Sequence, residues 1–293
     1  MRVTDNARLL SLMRQNAANA ERLSNASRRA AAGAKVIAPS DDPVAYATYV
    51  RRGASLASMS ARVRTARAGA DELGVAERAL DSATELLSEA KALALQGSSE
   101  SLNASDREVL AQRVSGLRSS LLELANARGV GGYVFAGTRT GAPPFDAAGA
   151  FTGNDNAVRI PVSEGVSTRM NASGAKAFTA AGGVDVFAAL DALAGALSSN
   201  DLAGIRAGIG AVQASHEQVV AVQVDAGLGI ERLRSVADVI DEAAVSVALS
   251  RSRDVGADEL AQLATELSAA STSYTQSLEV TRRLLSLPSL ARL

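Results

Sequence analysis

Two adjacent carboxylates (Asp41 and Asp42), a lone histidine (His216) and the run Gly153-Asn154-Asp155-Asn156 are the residues of this 293-residue chain that invite a metal or proton-transfer reading. Each has a plainer one. Adjacent side chains point apart, no His or third carboxylate lies near Asp41-Asp42 in sequence, and Pro43 follows. An Asp before a helix-opening Pro caps free backbone N–H groups, and Pro in the first helical position loses nothing by lacking its own. His216 falls between Ile209 and Gln223 on a sevenfold repeat, where a single polar side chain sets register. The Gly153–Asn156 run lacks the periodic oxygen ligands and closing Glu of a calcium loop, and reads as a turn. Gly129-Val130-Gly131-Gly132 follows a helix and precedes a strand, the reverse of a phosphate-cradling loop, and reads as a hinge. Arg28-Arg29, Arg51-Arg52 and Arg282-Arg283 could bind a partner's carboxylates, solvated helix surface being the plainer role. The chain has no Cys, so thiol nucleophiles, thiolate metal sites and disulfides are excluded. One His excludes multi-histidine centres, and a Ser-His-Asp arrangement would have to use His216. No catalytic constellation survives, and the expectation is a protein that is not an enzyme, with no cofactor and no metal.

Composition points to helices that pack closely. Apolar residues make up 47% of the chain, but aromatics only 3%, and 60 residues are Ala. Alanine has the highest helix propensity and lets neighbouring backbones approach. A formal net charge of −1 argues against nucleic acid as a partner, because that attraction needs surplus positive charge. Residues 1–36 carry seven basic side chains against Asp5 and Glu21. Their apolar positions are Ala, Val and Leu without Trp or Phe, so no stable membrane insertion is expected. Residues 1–30 lack the apolar core of a cleaved secretion signal, and no run approaches the roughly 20 apolar residues that span a bilayer.

The elements that must position these residues follow from periodicity. Val3, Ala7, Leu10, Ala17, Ala20, Ser24, Ser27 and Ala31 form a stripe on one helical face, with Gly33 and Pro39 ending the segment. A second helix starts at Asp42-Pro43 and carries Met59, Ala66, Leu73, Leu80, Leu87 and Ala94 at intervals of seven, ending at Gly97-Ser98-Ser99. Ser105 and Glu108 have capping-box spacing, opening a third helix that reaches Gly129. The turn between the second and third helices is short, so they return antiparallel.

From Gly129 to about Asn200, Gly and Pro become frequent. Strand-like runs at 132–136, 158–162 and 166–170 alternate with turns. Helix resumes at Asp201, with Ile205, Val212, Val219, Ala226, Leu233, Ile240 and Val247 in one sevenfold series. A second series runs from Leu202 through His216 to Ala244. The last helix, from about Asp258, repeats the device with Leu260, Leu267, Tyr274 and Thr281, and with Leu263, Ala270, Ser277 and Leu284. Leu290 and Leu293 leave an apolar tip.

The expected fold is therefore mainly α. It is an elongated antiparallel coiled-coil or bundle rod built from both chain termini, with a small inserted β-rich domain. The terminal stripes need a surface to cover them, either each other or neighbouring subunits. The division expected is a terminal helical assembly domain (1–40 and 255–293), a helical rod (41–132 and 199–254) and a β-rich outer domain (133–198). Val3, Leu10, Leu260, Leu263, Leu267, Tyr274 and Leu284 are the expected assembly-interface residues. Ser40, Asp41, Asp42 and Pro43 form the expected helix-start loop.

Several motifs carry a resemblance. Gly33-Ala34-Lys35-Val36-Ile37-Ala38-Pro39-Ser40-Asp41-Asp42-Pro43 matches an N-terminal signature. Gly131–Thr138 followed by Pro144-Phe145 matches the entry to a central domain. Phe151–Asp155 and Arg159–Val162 match its next segment, continued by Asn171, Gly174, Phe178 and Phe187. Tyr274 and Ser286-Leu287 fall on the C-terminal pattern. In these the chain resembles the bacterial flagellar hook–filament junction proteins, the hook-associated protein 3 family, which are relatives of flagellin. It departs from the pattern at Pro288, Phe151 and Asn154.

The resemblance implies an inner coiled-coil layer from both termini, a helical second layer and a β-rich outer domain. It implies secretion by the flagellar type III export apparatus without a cleaved signal, after binding by an export chaperone, and an extracellular place in the flagellum. It also implies self-association in a ring between the first hook-associated junction protein and flagellin. The alternative within the resemblance is a short flagellin. Pro43 and the compact Gly131–Phe145 motif favour the junction protein.

Overall fold

The computed structural model describes residues 2–163 and 166–286; side chains are described for 7–160, 167–284 and 286. The expectations for Leu287, Pro288, Leu290, Leu293 and the Val3 side chain lie outside the described residues. The chain divides into two compact units, one formed by 1–60 with 242–293 and the other by 61–241. The described elements are mainly helical. They are α1 (Arg2–Ala32), α2 (Pro43–Gly97), α3 (Ala104–Ala125), β1 (Arg128–Gly129), β2 (Gly132–Tyr133), β3 (Arg159–Ser163), β4 (Val166–Arg169), α4 (Gly174–Phe178), α5 (Val186–Ser198), α6 (Leu202–Asp254) and α7 (Leu260–Leu285).

In the 61–241 unit, α2 and α6 run antiparallel, tied by the pairs Arg67–Asp241, Asp81–Gln223 and Lys91–Gln213. Their seams are the expected sevenfold series. Ala66, Leu73, Leu80, Leu87 and Ala94 are buried on α2, and Ile205, Val212, Val219, Ala226 and Leu233 on α6. Small residues set the spacing between layers. A methyl group on Gly229 would come within 2.9 Å of Leu73, and one on Gly208 within 2.9 Å of Leu193. This close approach is what an Ala- and Gly-rich helix permits.

Asp201 caps α6 by accepting the Ala203 N–H at 3.0 Å. The cap of α3 is not Ser105. Asn103 accepts the Asp106 N–H at 2.8 Å, so an Asn-x-x-Asp spacing two residues upstream takes the role. The buried Arg107 guanidinium then donates to the carbonyls of Gly97 and Ser99 and to the Asn200 side chain, tying the α2–α3 and α5–α6 turns together.

The third helix ends at Ala125, short of the expected Gly129. Asn126 stops it by exchanging two 3.0 Å hydrogen bonds with the Phe145 backbone. The glycine run is not a hinge. β1 and β2 pair antiparallel around a two-residue Val130-Gly131 turn, with Gly132 at φ 111°. The Gly131 N–H donates to Glu72, and a methyl on Gly129 would strike that carboxylate at 2.4 Å.

The strand expected at 132–136 is only Gly132–Tyr133, whereas β3 and β4 lie where expected and pair antiparallel. The rest of 133–198 is less β-rich than its Gly and Pro content suggests. It contains α4 and the 13-residue α5, which Asp185 caps by accepting the Ala188 N–H at 2.9 Å. Phe135, Phe145, Phe178 and Phe187 from this segment stack and tilt against one another with centroids 5.4–6.1 Å apart. They belong to the same buried cluster as Leu80, Leu121 and Leu233 of the long helices.

Candidate assembly surface

In the other unit, α1 and α7 pack on one another in antiparallel register. Asn16 donates to Thr281 at 2.8 Å, and Gly33 lies beside Leu260. The face of α1 turned to its partner carries Leu9, Leu12, Asn16, Asn19, Leu23, Ala26 and Ala30, all half-buried or buried. Steps of three and four make this a coiled-coil seam. The facing seam on α7 is Leu263, Leu267, Ala270, Tyr274, Ser277, Thr281 and Leu284, with Leu263 only 2% exposed. The alternation expected for the last helix thus lies on its covered side from Leu263 onward. Leu260 is exposed.

The stripe expected on α1 falls elsewhere. Ala7, Leu10, Ala17, Ala20, Ser24, Ser27 and Ala31 are all exposed, as is Met13. Each residue of the series 10, 13, 17, 20, 24, 27 and 31 stands one position beyond a residue of the covered seam. One position is about 100° of rotation, so α1 carries two seams side by side, one covered by α7 and one open. Sequence periodicity found the open seam and missed the covered one. Leu9, Leu12 and Leu23 were the signal for the second.

The loop joining α1 to α2 is fastened at both ends. Gly33, at φ +64°, ends α1, and the Lys35 N–H donates to the Val255 carbonyl at 2.8 Å. The Lys35 ammonium pairs with Glu259 and donates to Gln262 at 2.8 Å. Asp41 accepts the N–H groups of Ile37 and Ala38 at 3.0 Å and pairs with Arg29 at 3.3 Å. Those two backbone donors, foremost, hold its carboxyl below the usual carboxylate range; burial opposes them and the Arg29 guanidinium adds to them. Asp42 accepts the N–H groups of Val44 and Ala45, which is the cap expected ahead of Pro43. Ser40 is exposed. Both carboxylates are therefore committed to backbone donors.

The remaining candidates have local roles. Asn154 accepts from the N–H groups of Thr138 and Asn156, closing the 153–156 turn. His216 is half-buried on α6. Among the basic pairs, Arg29 bonds Asp41, Arg52 bonds Asp254 at 3.1 Å, and Arg283 bonds Glu279. Arg251 lies 4.1 Å over the Tyr49 ring. Among the described residues, no group of three or more Asp, Glu or His is gathered as a metal site, and no helix is long and apolar enough to cross a membrane.

Residues 3–140 match the family model of the bacterial flagellin N-terminal helical region. Flagellar hook-associated protein 3 of Salmonella typhimurium is 30% identical over 148 residues, which are 50% of this chain and 47% of that protein. Flagellin FljM of Caulobacter vibrioides is 31% identical over 138 residues, 47% of this chain and 50% of its own. The chain thus spans about half the length of the curated relatives it matches.

Two solved structures share the fold. A flagellar hook-associated protein from Vibrio parahaemolyticus aligns with TM-score 0.68 at 22% identity, over 74% of this chain and all of that one. FlgL of Xanthomonas campestris aligns with TM-score 0.60 at 16% identity, over 69% of this chain and 99% of its own.

Proposed function

We propose that this chain belongs with the hook-associated protein 3 and flagellin-like proteins and is a structural adaptor of the bacterial flagellum. It joins the first hook-associated junction protein to the flagellin filament. The observation that carries the proposal is the open seam on α1, from Leu10 to Ala31, set beside a seam already covered by α7. A helix with one covered stripe and a second uncovered one is suited to a partner helix from a neighbouring subunit. Residues 1–40 and 255–293 act as the assembly segment in this reading, and copies of the chain form a ring. Delivery is by the flagellar type III export apparatus after binding to an export chaperone, and the protein's place is extracellular.

A second reading, a short flagellin, is favoured by the match to FljM. Deleting the gene separates the two. If the chain is the adaptor, cells secrete flagellin as monomers and carry hooks without stable filaments. If it is the filament subunit, flagellin secretion is lost with the gene and no other filament protein appears in the medium. Filaments of normal length and number after deletion would overturn both readings.

A further inference from the structure

The hairpin of β3 and β4 brings two like charges face to face. Arg159 and Arg169 are direct cross-strand partners, an arrangement that repels and costs stability unless something offsets it. The same side of the hairpin borders a cleft of about 340 Å³, to which α4 adds Lys176 and α6 adds Arg232. Four cations from four elements thus meet in a chain whose net charge is −1. Among the described residues Asp225 is the one carboxylate lining the cleft, and Asp155 stands just outside it, paired with Arg169 at 3.1 Å. Among the described residues no carboxylate lies within ion-pair distance of Arg159, Lys176 or Arg232.

The cleft is built as well as charged. Arg169 is held by hydrogen bonds from Nε to the Asn171 carbonyl at 2.8 Å and from Nη2 to the Asp155 carboxylate at 3.1 Å, so its guanidinium is placed before any ligand arrives. Ser167, Thr168 and Ser173 line the wall, and Leu73 and Ala226 form an apolar floor. Gly229 keeps that floor open; a methyl there would come within 2.9 Å of Leu73. Burial raises the Asp155 carboxyl, yet the Ser173 hydroxyl, Arg169 and Lys176 more than offset it and hold the group below the usual carboxylate range. The positive field is thus felt by an anion already beside the cleft.

We propose that this cleft binds a doubly charged oxyanion, a phosphate or sulfate group, either free or carried on a single sugar. Guanidinium groups approaching from two strands and a helix suit bidentate contacts to such a group. The volume admits one sugar unit beyond it, with hydroxyls to meet its own and a small apolar floor for its ring. The proposal stands independently of the adaptor reading, since none of its residues lies on α1 or α7.

Isothermal titration of the full chain with inorganic phosphate, inorganic sulfate, a hexose 6-phosphate and the neutral hexose tests it. The expected result is saturable one-to-one binding of the anionic probes, none by the neutral hexose, and weakening as salt is raised. Tighter binding of the hexose phosphate assigns a sugar-borne group, and equal binding assigns the free anion. Arg159→Gln and Arg232→Gln should each weaken binding at least about tenfold. Arg113→Gln, at a surface pair with Glu89, neither of which lines the cleft, should leave it unchanged.

Without ligand, Arg159→Gln should melt at the same temperature as the parent or higher, because a repulsion is relieved. No saturable binding, equal losses in the Arg113 control, or a lowered melting temperature for Arg159→Gln would overturn the proposal; the last would make these cations structural.

Discussion

Leu10→Asp separates the two seams of α1. Leu10 is 55% exposed in the single chain, so about half of its side chain remains for a partner to cover. Full burial of a Leu side chain is worth about 1.5–3 kcal/mol, which leaves about 1 kcal/mol to be gained on assembly. Placing an unpaired carboxylate in that contact adds a desolvation cost of about 3 kcal/mol. The total, about 4 kcal/mol per contact, lowers the association constant roughly a thousandfold. The monomer should hardly notice, since an exposed substitution changes stability by about 0.5 kcal/mol or less.

Leu263→Ala is the opposite case. Leu263 is 2% exposed within one chain, and its truncation should cost about 2–5 kcal/mol of local stability in the α1–α7 pair. Thermal melting of the purified monomer by circular dichroism reads the first quantity, and sedimentation of assembled material together with swimming of complemented cells reads the second. Leu10→Asp should fail only in assembly, and Leu263→Ala should show a loss in the monomer as well. Normal assembly and swimming with Leu10→Asp would refute the assignment of the open seam to a subunit contact.

Two further outcomes follow from the interior and from the α1–α2 loop. Phe178→Ala should cost about 3–5 kcal/mol in urea unfolding, because its ring meets Phe135, Phe145 and Phe187 in a core shared with the long helices; a cost near zero would make 133–198 energetically separate from them. The folded Asp41 carboxyl sits below its ordinary value of 3.8, so its contribution is complete above that value and is lost as pH falls through the lower folded one. Asp41→Asn should therefore flatten the acid limb of the melting-temperature profile, and an unchanged limb would show that the loop does not depend on the charge.

The parts of the fold legible in the sequence were those set by long local repeats and by terminus chemistry. Leu73, Leu80 and Leu87 recur every seven residues, so the buried face of α2 could be read directly, as could the Ile205–Leu233 face of α6. Asp42-Pro43 located a helix start for the same reason: the cap and the ring constraint act within three residues. Competing caps were harder to rank. Ser105 and Asn103 both have a hydrogen-bonding side chain, and the bond that wins is Asn103 to the Asp106 N–H. The helix α5 was hidden because its 13 residues lie in a Gly-rich stretch too short for its pattern to stand out. The cationic cleft depends on strand register, which places Arg159 against Arg169 across a turn; ten residues of separation gave no local sign of it.

The α1 stripe shows where periodicity stops carrying information. A helix rich in Ala, Leu and Ser has apolar or small residues on two adjacent faces, and both repeat in steps of three and four. The pattern states that a face needs covering, but the identity of the cover is a property of what else is folded nearby. Here α7 takes the seam of Leu9, Leu12 and Leu23, whose larger side chains fill the space between two helices, and leaves the seam of Ala17, Ala20 and Ser24 exposed. Small side chains on an exposed seam let another backbone come close at low entropic cost, since Ala and Ser have few rotamers to lose. The seam read from the sequence is thus the one a single chain leaves uncovered, and the physical case for a partner subunit rests on that difference between the two faces.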